Sequence, residues 1–267
     1  MKNLVILSLP LCLLTGLVVG CDAEPESTAD LAPSSSAAAQ GMWPLPLPAV
    51  AAQPRSSGQK SVKAKHLIAK DAQATAWTRW VMALPYSTGP INDPTGAACA
   101  SSQAGDLWFL AGTAGGSAER TCDVPAGKQL VFPLLNWFCA FFPEIYPDEQ
   151  AVAQGVSEMV AAVASLPDGV CELTLKIDGV DVLADLDAAN ELFGFTDEAF
   201  DVEANDDHFA SSEGFAGGTI PAITAGYYVR LKPLAPGDHV LEFGGALCTD
   251  GKVDFSTHTY YNLHVGM

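Results

Sequence analysis

The sequence predicts a mainly β protein, an antiparallel β-sandwich with two helices packed at its side, α+β in detail. Three observations carry this. Short apolar runs recur at close intervals between residues 106 and 265, separated by Gly/Pro/Asp turns. Several of these runs alternate with period two. Two other stretches repeat at helical spacing, and no internal repeat is present.

The first helix is expected over residues 64–84. Ala69, Ala72, Ala76, Trp80 and Leu84 recur on one face beside Trp77, and Pro85 ends the run. Two tryptophans three residues apart on that face read as core packing rather than a ligand platform. Asn92-Asp93-Pro94-Thr95-Gly96 is a turn signal. Strands follow at 106–111, 118–124 and 129–135, the last with Pro133 near its end, where an edge or bulge tolerates proline. The second helix is expected at 149–166, with Val152, Val156, Met159, Val160 and Val163 on one face. Residues 171–177 alternate Cys171, Leu173, Leu175 and Ile177 against Glu172, Thr174 and Lys176, the period of a half-buried strand. The chain turns at Asp178-Gly179 and returns over 180–183. Residues 227–231, 239–244 and 255–265 complete the β region.

The N-terminus divides from this domain. Lys2, an apolar run over 4–19 and the small residue Gly20 have the layout of a secretory signal. The run contains Pro10 and is shorter than the roughly 20 residues of a spanning helix. Its ending, Leu17-Val18-Val19-Gly20-Cys21, resembles the lipobox of bacterial lipoproteins. The resemblance implies cleavage before Cys21, acylation of its thiol and attachment to a membrane through the lipid, inner or outer. Residues 21–60 are expected to be a disordered Pro/Ser/Ala-rich tether, because small, polar and proline residues bury too little apolar surface to offset chain entropy. Residues 61–267 form the domain. The organisation is therefore a signal at 1–20, a lipidated tether at 21–60 and a β-sandwich at 61–267.

The charge is strongly acidic, 31 Asp+Glu against 13 Lys+Arg for a net of −18. Nucleic acid is excluded as a partner, since its phosphates demand a basic surface. Residues 177–229 hold 12 acids and no Lys or Arg. Asp185, Asp187, Asp206 and Asp207 are the candidate calcium ligands there, because clustered oxygens in loops suit a hard cation. None sits in a spaced D-x-D-x-D-G loop, and a solvated acidic loop is the preferred reading; no other cofactor is implied.

Five cysteines remain in the domain, so at most two bridges form among them. A hairpin between the 106–111 and 118–124 strands brings Cys99 near Cys122. A bridge from Cys139 to Cys171 would staple the second helix back to the sheet. This leaves Cys248 free; the alternative is that Cys248 replaces one partner. Trp137, Phe138, Phe141 and Phe142 form the densest aromatic patch and are a candidate interaction surface, with burial in a strand-to-helix connection as the preferred reading.

No nucleophile elbow, H-E-x-x-H or P-loop is present, and Gly155-Val156-Ser157-Glu158-Met159 lacks the second glycine of an elbow. His258 and His264 share strand parity but lie roughly 20 Å apart along it, too far for one metal. No catalytic residue is assigned. Two functional classes follow. One is a lipid-anchored binding or structural module of the cell envelope, with an envelope protein or glycan as partner. The other is a secreted hydrolase, for example glycan-active, with an acid/His site assembled from distant residues.

Several motifs are similar to a group of secreted bacterial proteins. They are Trp77-x-x-Trp80, residues 92–96 with Cys99, residues 105–112, Arg120-Thr121-Cys122 through Lys128, and Phe132 through Asn136. Residues 236–245 and 254–263 fit the same group. The resemblance covers most of 61–267. It implies the fold and secretion, and carries over no functional residue because no activity is assigned to that group.

Overall fold

Two sheets face each other across an apolar core. The computed structural model describes residues 11–14, 17–18, 71–164, 166–183 and 192–266. The leader contributes strands β1 (Leu11–Leu14) and β2 (Leu17–Val18). Helix α1 spans Asp71–Met82 and is followed by β3 (Leu107–Phe109), β4 (Gly116–Val124) and β5 (Gln129–Ala140). Helix α2 spans Glu149–Ala164. After it come β6 (Val170–Ile177), β7 (Val180–Asp181), β8 (Phe193–Phe195) and β9 (Phe200–Ala204). The long strands β10 (Gly218–Leu231), β11 (Gly237–Thr249) and β12 (Lys252–Val265) close the chain. Contacts group Met1–Val19 with Val62–Met267 as one unit; the second, Gly20–Ser61, lies outside the described residues.

In the first sheet β5 and β10 pair antiparallel at the centre. Strands β8 and β9 share the far edge of β10. The near edge of β5 takes β3 in parallel at Gln129–Val131 and β1 antiparallel at Trp137–Ala140. The second sheet runs β4-β12-β11-β6-β7. Its β4–β12 pair is parallel. The sandwich is therefore mixed, not wholly antiparallel. The cause is connectivity: β3 and β5 are joined through β4 in the opposite sheet, and β4 meets β12 from far along the chain.

Strand β5 is buried on both faces, which explains why past Gln129 its apolar sequence is broken only by Asn136. Phe132, Leu135 and Trp137 meet Leu175, Leu241, Phe243, Tyr261 and Leu263 of the second sheet in the main core. On the outer side of the first sheet, Val131, Phe138, Ala140 and Tyr228 pack with Trp77, Trp80 and Val81 of α1. Pro133 sits at a bulge where the β5–β10 register shifts between Tyr227 and Tyr228. There the missing N–H breaks no ladder. The predicted alternation holds in β11 and β12, whose inward residues Leu241, Phe243, Tyr261 and Leu263 are buried. In β6 it holds for Leu175 and Ile177 but not for Cys171, which is exposed beside a register shift against β11.

That displacement bears on the disulfides. Cys99 pairs with Cys122 as expected, but not through a hairpin: β3 and β4 lie in different sheets and do not pair. Cys171 pairs with Cys248 and not with Cys139, so Cys248 is not free. Strands β6 and β11 are neighbours in the second sheet, which places Cys171 beside Cys248 with Cα atoms 5.8 Å apart. Cys139 belongs to the other sheet. It is disulfide-bonded too, and lies opposite Cys12 in the β1–β5 register.

A buried cation fastens the loop after α1. Arg120 is 2 % exposed. It donates to the carbonyls of Asp93, Ile91, Ala111 and Gly112 and to the Tyr261 hydroxyl, at 2.6–3.1 Å. A buried charge is tolerated only when its donors are used in this way. The Asp93 carboxylate accepts from the Thr95 and Ala98 amides at 2.8 and 2.7 Å. Burial opposes its ionisation, but these donors outweigh burial and hold its pKa below the ordinary 3.8. Gly96 sits at φ +93°, and a Cβ there would lie 2.2 Å from the Thr121 carbonyl. The turn motif and the Arg120-Thr121-Cys122 motif are thus two sides of one packed junction.

Candidate functional site

Helix α2 begins at Asp148, whose carboxylate caps the Ala151 amide at 2.9 Å. Beneath the helix, the rings of Phe141 and Tyr146 meet edge to face, with centroids 5.1 Å apart. Gly155 lets the helix approach them: a Cβ there would stand 2.7 Å from Tyr146 Cε1 and 2.8 Å from Phe141 Cε1. Val156 is buried at this contact. Val152, Met159 and Val160 pack against the same cluster and stay half-buried.

The exposed flank of Val152, Ala153 and Val160 forms one wall of a groove of about 760 Å³. Phe141, Pro143, Tyr146 and Pro221 supply its apolar floor, and the opposite wall is the segment 197–201 between and within β8 and β9. The rim is acidic, with Asp148, Glu149, Asp197, Glu198 and Asp201. No Lys or Arg lines the groove among the described residues. Tyr146 is 5 % exposed, and its hydroxyl makes no hydrogen bond. Burial, helped by the negative charge of Glu158, pushes its pKa up to about 12. The hydroxyl therefore keeps its proton and is a buried donor without an acceptor; the groove itself is of a size that suits a small molecule.

The residues singled out from sequence are placed differently. Cys21, Asp185 and Asp187 lie outside the described residues. Trp137, Phe138, Phe141 and Phe142 are all buried and form no exposed patch. The reason is that β5 runs on through Trp137–Ala140. This turns Trp137 into the main core and Phe138 and Phe142 toward the helix α1 side. Only Phe141 reaches the groove. Asp207 is used as a fastener: its Oδ2 accepts from the Ser87 amide at 3.2 Å and the Ser87 hydroxyl at 2.5 Å. Asp206 lies beside it, and among the described residues no three His, Cys, Asp or Glu side chains converge as metal ligands.

Carboxylate and histidine meet at three places on the second sheet. His239 contacts Asp178 at 2.9 Å, with its other ring nitrogen 2.8 Å from the Ala235 carbonyl. His264 contacts Asp238 at 2.6 Å, and the Asp238 hydrogen bond raises the His264 pKa. Glu242 is the most connected. Its Oε1 accepts from Lys176 at 3.0 Å and the Tyr260 hydroxyl at 3.3 Å, and lies 3.2 Å from His258 Nε2. The His258 contact is within ion-pair distance but off hydrogen-bond geometry. The Glu242 hydrogen bond raises the Lys176 pKa. A single carboxylate neutralised by a lysine on an open sheet face is not the facing pair of acids that glycoside hydrolysis uses. The parity of His258 and His264 is as expected, and each finds its own carboxylate.

The groove was not legible beforehand. The one signal was on α2, where positions 149, 152, 153, 156, 157 and 160 mix acid, small and apolar residues on one face. No protein-family model, no curated protein and no solved structure matches the chain. The site is therefore argued from its own geometry.

Proposed function

We propose that this chain is a lipid-tethered, extracytoplasmic binding module of a bacterial cell envelope, and that the groove beside α2 is its binding site. The observation that carries the reading is an apolar floor beneath a lining whose charged residues are all acidic. Two further features support the location. Disulfides Cys99–Cys122 and Cys171–Cys248 fit an oxidising, extracytoplasmic environment. The lipobox-like ending at Cys21 supplies the anchor, with residues 21–60 as its tether. Two or three acyl chains hold a protein on a bilayer almost permanently. No helix among the described residues is long and apolar enough to cross a membrane. The net charge of −18 disfavours nucleic acid. Cleavage before Cys21 would take β1 and β2 away with the leader, leaving the edge of β5 at Trp137–Ala140 without the strand that pairs with it.

Detergent-phase partitioning tests the anchor. The wild-type chain is expected in the detergent phase and Cys21→Ser in the aqueous phase or blocked in processing. Equal partitioning of the two would remove the lipoprotein reading.

A further inference from the structure

We infer that the groove beside α2 takes a small hydrophobic cation, an ammonium or guanidinium carried on an aromatic or aliphatic body. This rests on the groove being the chain's binding site and adds the class of ligand. The floor of Phe141, Pro143, Val152 and Val156 offers apolar contact along its length. The charged residues that line the groove are all acidic; Arg79 donates to the Asp201 carbonyl at 2.9 Å beside it but is not part of the lining. Asp148 already caps α2, but the carboxylates of Glu149, Asp197, Glu198 and Asp201 hold no described partner and are exposed. Carboxylates on the two walls attract a cation at the mouth, while water-excluded contact below selects for a hydrophobic body.

Tyr146 supports the floor from beneath: its hydroxyl is buried and has no accessible surface, so a ligand meets the apolar part of this side chain and not its polar end. The volume of about 760 Å³ lies in the small-molecule range of roughly 300–1,000 Å³, which favours a compact amine over a peptide. Gly155 keeps the helix close enough to hold Tyr146 in place.

Calorimetric titration of the full-length Cys21→Ser chain with 4-methoxyphenethylammonium tests this. The probe joins an ammonium and an aromatic body. One site per chain is expected, weakening with added salt because the rim is exposed. Affinity should fall at least tenfold in the Asp197→Asn/Glu198→Gln double variant. It should fall equally for the neutral analogue 4-methoxyphenethyl alcohol. Ala153→Trp, at an exposed groove position, should abolish binding with an unchanged melting temperature. The inference fails if no heat is seen, if the alcohol or spermidine binds as tightly as the amine, or if a Lys-Trp-Lys peptide binds more than tenfold tighter. Partitioning reads the anchor and calorimetry reads the groove, so either can fail without the other.

Discussion

The two helices are alike in pattern and unlike in depth. Helix α1 lies flat on the outer face of the first sheet. Ala74, Trp77, Trp80, Val81 and Met82 are all buried there. Trp77 donates to the Leu110 carbonyl and Trp80 to the Ser101 carbonyl, at 2.8 and 2.9 Å. Helix α2 buries only Gly155 and Val156 among its described side chains, and Val152, Ala153 and Val160 open on the groove. An amphipathic stripe predicts which face turns inward, but not how deeply the helix is seated. Depth is set by what the sheet presents. Broad aromatic surface meets α1, whereas α2 touches its floor closely only where Gly155 and Val156 meet Phe141 and Tyr146, and its acidic flank stays exposed. The first arrangement serves stability and the second leaves space for a ligand.

Truncation should expose this difference most strongly. Trp77→Ala is expected to destabilise by about 3–5 kcal/mol, the range for deleting a buried aromatic side chain. Val152→Ala, half-buried on α2, should fall below about 1 kcal/mol. Urea unfolding midpoints of the two variants compare them directly, and similar losses would mean that α2 is as firmly seated as α1.

Acid should loosen the α1 side selectively. The folded pKa of Asp93 lies below its ordinary 3.8. Its contribution is therefore complete above that value and is lost as pH falls through the folded pKa. Asp93→Asn should remove about 1.5–3 kcal/mol at pH 7, the range for a hydrogen bond to a charged group. It should also flatten the acid limb of the stability profile below pH 4. A profile parallel to wild type would mean that Asp93 ionisation is not linked to folding.

A methyl group at Gly155 probes the α2 side. Gly155→Ala would bring Cβ within 3 Å of both Phe141 and Tyr146, an overpacking expected to cost about 1–3 kcal/mol. It should also push the helix away from its floor and alter near-ultraviolet dichroism from Tyr146. An unchanged melting temperature and spectrum would show that the helix already has slack there.

How much of this was legible depended on how each strand meets solvent. Strands β11 and β12 bury one face and wet the other, so their sequences alternate and were read correctly. Strand β5 buries both faces, so it carries no alternation. Its far half, Trp137–Ala140, reads equally well as an exposed aromatic patch. Strand β9 does alternate, Val202 and Ala204 inward against Asp201 and Glu203 outward, but the density of acids around it reads as loop. The partner of Cys171 was hidden for a different reason: it depends on which strands become neighbours, and Cys248 lies 77 residues away.

The sequence by itself therefore determined the class of fold, the two helices, the Cys99–Cys122 bridge and the acidic surface. Each of these follows from local period, composition or short-range turns. Only the tertiary structure decided the mixed pairing of the sheets, the Cys171–Cys248 bridge and the groove. Tyr146 and Asp197 have no local reason to line one groove. They do so because α2 packs on Phe141, just past the end of β5, while the β8–β9 segment lies along β10, the strand paired with β5, and contacts between distant segments are set by packing rather than by sequence period.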